Sequence, residues 1–551
     1  MNGATFSGLI RARWTAPVVL VLSSVLLVVA AVAIGMPTQT DYPWSASVLL
    51  DGGWRMIHGQ VPHQDFHTPI GPIYLLTVAT AMRLFGTGPY VLGWVASAFF
   101  LVATFCGWFV AHRRMAAWPA VVAALACGIL ALTPALFGSS GLEGLSFGGH
   151  YTRVAWALFT VVALAALAPP RSGQSAAVRY GEAAMLGLCL TLMAGCKVTF
   201  AAAGLALLLL AQVVSDQRRS LGAWLTLLLV ALTSGALLFL AAGTTVPAYL
   251  ADLGRSATSV SLLRLVIGSI NDLDIVWVGM FVGGLILVGR QPWIGWQLSW
   301  RRPLPSGVLL MAALAGGGVA LSATNGIEHM TPIVVAIALV AWARAALIDD
   351  LPRRRAVTIL AMVAITTWTG RSLAPLPTLL RPAGQPATAT LPDGPYAGHE
   401  FIFAGLPAAS DSALLSNLSR NPHAFRTDVW WRYLREGCML LQSEIVPTSR
   451  VLSLDFVNPF PYALALPPAR GDHLFWHFQR NITAANAPTA DQLFADADFV
   501  LEPLHPIFAD SVQLKHLLYH EWLAVHAREV ITTSTWWRLY RIHRTIPPSA
   551  N

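Results

Sequence analysis

The sequence DYPWSASVLLDGGWRMIHGQVPHQDFHTPIGPIY, residues 41–74, follows the first long apolar segment of the chain and is itself followed by further apolar sequence. It carries three Asp, three His and one Arg. Charged groups are costly to hold beside a bilayer, and where a membrane protein keeps them they mark functional sites. The stretch therefore predicts the first loop of a multi-span membrane protein, with chemistry at the membrane surface.

The composition places most of the chain in lipid. Of its 551 residues, 55% are hydrophobic and only 11% are charged, and the mean hydropathy is +0.59. The formal net charge is +8, but the basic residues form short clusters between apolar segments, which indicates membrane topology and not nucleic-acid binding. The five cysteines have neither the spacing of a disulfide framework nor that of a structural zinc site.

Apolar runs predict about eleven transmembrane helices and a cytoplasmic N-terminus. The predicted spans are 16–36, 89–111, 117–137, 152–169, 181–195, 198–213, 220–242, 273–289, 306–322, 331–347 and 356–371. The first is longer than the apolar core of a usual signal peptide, so we expect it to be retained. The segment 70–85 is short and contains Gly71, Pro72 and Arg83, which favours a surface-lying or re-entrant helix on the outer side.

The distribution of arginine supports this topology. When residues 70–85 are not counted as a membrane-spanning helix, every predicted cytoplasmic segment is basic, as the positive-inside rule requires. The residues concerned are Arg11, Arg13, Arg113, Arg114, Arg171, Arg179, Arg218, Arg219, Arg290, Arg301, Arg302, Arg344, Arg353, Arg354 and Arg355. Counting 70–85 as a span would invert everything after it.

The chain divides into three parts by composition. Residues 1–371 are predicted to form a transmembrane module with a first outer loop at 37–88, and residues 372–397, rich in Pro and Ala, a linker. Residues 398–551 are predicted to form a small α/β domain, with strands at 450–456, 498–501 and 536–542 and a helix at 424–441. The predicted fold class is therefore a polytopic α-helical membrane protein with a small C-terminal extracytoplasmic α/β domain.

Three carboxylates of the first outer loop are candidates for chemistry. Asp41 lies about five residues beyond the first predicted span, at the water–lipid boundary, where desolvation raises the basicity of a carboxylate. Asp51 has an arginine four residues later, so a catalytic role and an ordinary ion pair are both open. Asp65 stands between His63 and His67, a pattern typical of a hydrogen-bonded loop and, less often, of a metal site; no metal is predicted.

Lys197 is the only lysine before the C-terminal part and lies in the tight turn AGCKVTF between two predicted spans. A cation buried in a membrane marks a ligand pathway or a paired charge; the alternative is snorkelling to the outer headgroups. Other candidates for binding a phosphate or sugar on the same predicted side are Arg153, Arg255, His150, Tyr151, Glu328 and His329. For the loop that carries His150, helix capping is the alternative.

These motifs resemble those of polytopic GT-C superfamily glycosyltransferases, and most of all the bacterial family-39-like and RgtA/B/C/D-like group, which is related to protein O-mannosyltransferases and lipid A aminoarabinose transferases. The resemblance covers roughly residues 1–370. It rests on Asp41, on the G-x-x-P-x-x-D-F run (Gly59, Pro62, Asp65, Phe66) and on the surface helix ending in Leu84, Phe85 and Gly86. Members often carry an acidic pair directly after the first span, whereas here Asp41 is followed by Tyr42.

The resemblance implies an inverting glycosyltransferase, hexosyl- or pentosyl-transferring, of the bacterial cytoplasmic membrane. Its donor would be a polyprenyl-phosphate-linked sugar, and its acceptor an envelope glycan, lipid or protein on the outer face. It assigns the base to Asp41, with Asp51 second, and phosphate binding to Lys197, Arg153 or Arg255. No cofactor is required; a divalent cation is compatible with the resemblance but is not indicated.

The main alternative is a transporter or flippase of lipid-linked substrates. A transporter would carry polar residues in the middle of several spans, and many are built from internal repeats. The predicted spans are nearly free of such residues, and no repeat is evident. The sequence therefore favours the enzyme.

Overall fold

The computed structural model describes residues 3–34, 42–133, 135–136, 145–171, 173–214, 219–257, 312–318, 321, 331–345, 351–373, 394–396, 427–527 and 529–543. Three candidate residues, Asp41, Glu328 and His329, lie outside the described residues, as does the predicted span 273–289.

The N-terminal part is helical. Its helices are α1 (Gly3–Ile34), α2 (Trp44–Ile57), α3 (Pro72–Phe85), α4 (Val91–Ala111), α5 (Ala117–Leu132), α6 (His150–Leu167), α7 (Ala176–Cys196), α8 (Val198–Val214), α9 (Leu221–Ala241), α10 (Val246–Ala257), α11 (Thr331–Ala345) and α12 (Leu351–Leu373). Five helices in the described residues contain a segment long and apolar enough to cross a membrane, namely Thr15–Ala33, α4, α6, α7 and α9. A polytopic helical protein is thus observed; the count of eleven spans stays a prediction.

Burial separates the central helix of the bundle from its edge. The most apolar window of α6 is 94% buried, whereas that of α9 is 17% buried. Around α6, α4 packs on α5, α7 packs on α9, and α11 packs on α12. A helix that is apolar on all sides yet exposed, as α9 is, fits contact with lipid.

Both ends of α3 are tied to the C-terminal part of the chain. Just before its first turn, the His67 amide donates to the carbonyl oxygen of Asp472 at 3.0 Å. Just after its last turn, the Tyr462 hydroxyl donates to the carbonyl oxygen of Thr87 at 2.6 Å. Both ends of α3 therefore contact the C-terminal part, and the surface position of residues 70–85 stays a prediction.

The C-terminal part contains a four-stranded mixed sheet. A short hairpin, β1 (Ala135–Leu136) and β2 (Leu145–Ser146), precedes α6; the elements of the C-terminal part are α13 (Thr427–Gln442), β3 (Val451–Ser453), α14 (Phe460–Ala463), α15 (Ala490–Leu493), β4 (Phe499–Pro503), α16 (Ala509–His526), β5 (Glu529–Thr533) and β6 (Trp537–Arg541). The sheet order is β3-β4-β6-β5, with β3 and β4 parallel and the other pairs antiparallel. Strands β3, β4 and β6 lie where the sequence predicts them. Strand β5 is not among the predicted strands, although its Val-Ile-Thr-Thr run is rich in β-branched residues.

Candidate functional site

The first outer loop is bound to the C-terminal part by hydrogen bonds. The Leu474 amide donates to the carbonyl oxygen of His67 at 2.9 Å, and the Gly471 amide donates to that of Asp65 at 2.7 Å. The indole of Trp54 in α2 donates to the carbonyl oxygen of Leu466 at 2.8 Å. The C-terminal part therefore forms one wall of any site on this loop.

Asp51 is a buried ion-pair residue. Its side chain accepts from Arg55 Nε at 2.8 Å, and Arg55 also donates to the carbonyl oxygen of Ala469 at 2.8 Å and lies 3.6 Å from Asp472. Burial raises the pKa of Asp51 above its ordinary value, against the opposing charge of Arg55. Asp51 is only 3% exposed. Of the two roles that the sequence left open, the ion pair is observed, and the catalytic role of Asp51 stays a prediction.

The side chains of His63, Asp65 and His67 do not converge on one point. Asp65 accepts from a backbone amide of its own loop at 2.8 Å and lies 3.7 Å from the exposed Arg470. His63 and His67 instead both point to Asp252 of α10. Within the described ranges, no group of His, Cys, Asp and Glu side chains is arranged to hold a metal ion.

Asp252 was not predicted from the sequence. It is 3% exposed and accepts from His63 Nδ1 at 2.9 Å, from His67 Nδ1 at 2.8 Å and from the Thr68 amide at 3.1 Å. Burial alone would raise its pKa, but the two imidazoles lower it below the ordinary value. Arg255, one turn further along α10, lies 3.2 Å from the same carboxylate. Asp252 thus fixes α10, and with it Arg255, on the first outer loop.

His150 and Arg153 hold the end of α5. The His150 ring donates through Nε2 to the carbonyl oxygen of Ala131 at 2.9 Å, which leaves Nδ1 to accept from the Tyr74 hydroxyl at 2.8 Å. Arg153 Nε donates to the carbonyl oxygen of Leu130 at 3.1 Å. Both side chains are buried, and they satisfy carbonyls left open at a helix C-terminus. The capping alternative is therefore observed, and direct phosphate contact by these two residues stays a prediction.

Lys197 directly follows α7, at the junction with α8. Its ammonium lies 5.6 Å from the centre of the Tyr151 ring, a cation–π distance. Burial, together with the nearby charge of Arg480, lowers the pKa of Lys197 to about 7. Among the described residues, no carboxylate forms an ion pair with Lys197. Lys197 and Arg480 are called the cation pair below.

Gly71 brings the first outer loop against this junction. Its amide donates to the carbonyl oxygen of Cys196 at 3.0 Å. A Cβ atom on Gly71 would lie 2.2 Å from the carbonyl oxygen of Gly195, closer than any side chain permits, so only glycine allows this approach. The first outer loop is thereby held next to Lys197.

Arg480 was not predicted from the sequence either. It lies in the C-terminal part, and the same segment continues to Asn486, whose side-chain amide donates to the carbonyl oxygen of Arg255 at 2.8 Å. Nothing in the sequence distinguishes Arg480 from the other arginines of that part. Its charge acts on Tyr151 and Lys197 only through the tertiary structure. Clustered cations at a membrane surface favour binding of an anion such as a phosphate.

Comparison with known proteins gives matches among solved structures only. No protein-family model and no curated protein matches the chain. ArnT from Cupriavidus metallidurans bound to undecaprenyl phosphate matches with 13% identity and a TM-score of 0.44, over 95% of this chain and 97% of that one. Arabinofuranosyltransferase AftD from Mycobacteria matches with 11% identity and a TM-score of 0.42, over 96% of this chain and 41% of AftD.

A third match is the archaeal oligosaccharyltransferase AglB from Archaeoglobus fulgidus, in complex with an inhibitory peptide and a dolichol-phosphate. Its identity is 13% and its TM-score 0.30, over 89% of this chain and 70% of AglB. With TM-scores below 0.5, these likenesses carry no activity over to this chain.

Proposed function

We propose that the protein is an inverting membrane glycosyltransferase that moves a sugar from a polyprenyl-phosphate donor to an envelope glycan, lipid or protein. The reaction takes place on the side of the membrane that carries the C-terminal part. Residues of the first outer loop, α10 and the α7–α8 junction meet in one place and support this assignment.

The strongest support comes from Lys197. A half-buried ammonium between two membrane helices, lying on an aromatic ring and next to a second cation, is unfavourable without an anion. Within the described part of the chain Lys197 forms no carboxylate pair, so an anion from outside the chain fits there. A lipid-linked phosphate supplies that charge, and its polyprenyl tail finds apolar helix surface beside the site. Arg255, held by Asp252, lies on the adjoining helix.

The chemistry requires a base and a stabilised leaving group. The acceptor hydroxyl attacks the anomeric carbon, a carboxylate takes its proton, and the bond from the anomeric carbon to the phosphate oxygen breaks with its electron pair on the lipid phosphate. We assign the base to Asp41 and stabilisation of the departing phosphate to Lys197. His67, beside α10, and Tyr151, beside Lys197, are candidates for contacting the substrate.

The transporter alternative gains no support from the site. The polar groups of the proposed site lie at the end of the helix bundle, whereas a transport site lies near the middle of the membrane. Among the described helices of the bundle, Glu182 pairs with Arg114 and Arg219 within the chain.

The test is transfer of radiolabelled sugar from polyprenyl-phosphate donors to cell-envelope acceptors by the purified protein. We expect Asp41→Asn to lower the rate by about 100-fold or more, since a general base contributes that much, without changing thermal stability. Asp51→Asn should instead lower stability, because it removes the nearest counter-charge of the buried Arg55. Wild type that consumes no donor with any envelope extract would exclude the function. An Asp41→Asn variant as fast as wild type would exclude only the assignment of the base.

A further inference from the structure

The turn that carries Arg480 is closed by its own hydrogen bonds. The amides of Arg480 and Asn481 both donate to the carbonyl oxygen of His477, at 3.0 and 3.1 Å, and the Gln479 amide donates to that of Ile482 at 2.9 Å. Gln479 has a φ of 58°, a left-handed conformation that is uncommon for a residue other than glycine. The tip of the turn is therefore fixed in shape.

Asn481 is the residue that fixes it. It is 3% exposed; its side-chain oxygen accepts from the His477 amide at 2.7 Å, and its Nδ2 donates to the carbonyl oxygen of Phe475 at 2.8 Å. Both ends of its amide are used within the turn. A buried side chain whose polar atoms are satisfied in this way locks one geometry.

The segment after the turn is anchored to the membrane part. Asn486 accepts from the Thr483 amide at 2.6 Å through its side-chain oxygen, and its Nδ2 donates to the carbonyl oxygen of Arg255 in α10 at 2.8 Å. On the other side, the ring of His473 lies against that of His67, with ring centres 5.2 Å apart. The turn thus lies between two contacts with the proposed site.

We propose that Arg480 is a second phosphate-binding residue, supplied to the membrane site by the C-terminal part and positioned by Asn481. This inference rests on the proposed function and deepens it, because it makes the docked C-terminal part necessary for a complete phosphate site. Lys197 gives a point charge, whereas the guanidinium of Arg480 gives a planar fork of donors that matches two oxygens of one phosphate.

The experiment measures binding of three probes to the purified full chain in detergent: a polyprenyl monophosphate, the uncharged polyprenol of the same length, and inorganic phosphate. Variants are Arg480→Gln, Arg480→Lys, Asn481→Ala and the control Arg450→Gln. Arg450 belongs to the same part of the chain, and its side chain is 41% exposed and lies 3.4 Å from Asp496.

We expect wild type to bind the polyprenyl phosphate and not the polyprenol. Arg480→Gln should weaken that binding about tenfold, Arg480→Lys should restore part of it, and Asn481→Ala should weaken it with Arg480 still present. Arg450→Gln should bind as wild type does. Thermal melting of each variant separates loss of binding from loss of folding.

Two outcomes overturn the inference: Arg480→Gln binding the polyprenyl phosphate as tightly as wild type, or Arg450→Gln losing as much as Arg480→Gln. Failure of the proposed function gives a different result, because wild type would then bind the polyprenyl phosphate no more tightly than the uncharged polyprenol. If inorganic phosphate binds as tightly as the lipid and Arg480→Gln weakens both, the site recognises the phosphate group alone. Arg480 then keeps its role, and the lipid tail adds nothing to the affinity.

Discussion

The two ends of α7 treat charge in opposite ways. Near its N-terminus, Glu182 accepts from Arg114 at 2.7 and 2.9 Å, with Arg219 3.7 Å away. At its C-terminus, about 22 Å away by helix rise, Lys197 lies near Arg480 and a tyrosine ring. In the first group, called the paired end (Arg114, Glu182, Arg219), Glu182 gives the two arginines a counter-charge within the chain. Lys197 has no carboxylate partner among the described residues.

The contrast indicates a separate role for each end. At the paired end, Arg114 also donates to the carbonyl oxygens of Ala168 and Val110, at 2.9 and 3.0 Å, so its donors are used in joining helices. At the cation pair, the Lys197 ammonium lies over an aromatic face. We therefore propose that the paired end stabilises the fold and that Lys197 binds a ligand.

Of the predicted changes, disruption of the paired end should have the largest effect, and it should lower the free energy of unfolding. Glu182→Gln leaves the buried Arg114 guanidinium without its counter-charge, which costs about 3–5 kcal/mol. We expect a lower free energy of unfolding and a lower thermal midpoint in detergent, with the affinity for polyprenyl phosphate unchanged in the folded fraction. Arg450→Gln, at an exposed pair, should change stability by less than about 1 kcal/mol. Equal losses in the two variants would contradict a structural role for the paired end.

Disrupting the cation pair should have the opposite result. Lys197→Gln removes a half-buried charge that no described carboxylate neutralises, so we expect the thermal midpoint to stay equal or rise. Binding of polyprenyl phosphate should fall by about 100-fold, as expected for a charge-assisted contact of about 2–3 kcal/mol. A variant that loses stability but keeps its affinity would show that Lys197 is structural and would remove the contrast between the two ends.

The pH dependence of phosphate binding should give a smaller effect at the same end. The lowered pKa of Lys197, about 7, means that its ammonium is present below pH 7 and is lost as the pH rises through 7. Affinity for the phosphate should therefore weaken from pH 6 to pH 8, by at most about tenfold per pH unit. The Lys197→Arg variant keeps its positive charge over this pH range, so its affinity for the phosphate should not weaken through loss of that charge. Parallel profiles for wild type and Lys197→Arg would contradict the assignment.

Much of the local structure follows from sequence pattern. The helix predicted at 70–85 is observed as Pro72–Phe85, and the helix predicted at 424–441 as Thr427–Gln442. Long apolar runs and strands rich in β-branched residues can be recognised from residue type and spacing alone, because lipid and sheets both favour particular residue types. Lys197 likewise stands out in the sequence, since a lone lysine between two spans is rare whatever surrounds it.

The site assignments were less predictable where two roles share one residue type. Arg153, His150 and Asp51 have the chemistry of binding residues, yet the structure uses all three on partners within the chain. Neither Asp252 nor Arg480 is marked by its neighbours in the sequence. Asp252 gains its role from His63, more than 180 residues away, and Arg480 gains its role from Lys197, in another part of the chain. Long-range contacts of this kind leave no periodicity in the sequence.

Residue types alone specify a polytopic helical membrane protein with a polar first loop and one isolated lysine, because lipid selects side chains without regard to their neighbours. They do not specify which charges are spent on the fold and which remain for a ligand. Whether a carboxylate lies within 3 Å of a cation depends on how the helices pack and on the docking of the C-terminal part. That packing buried Asp51 with Arg55 and brought Arg480 to Lys197.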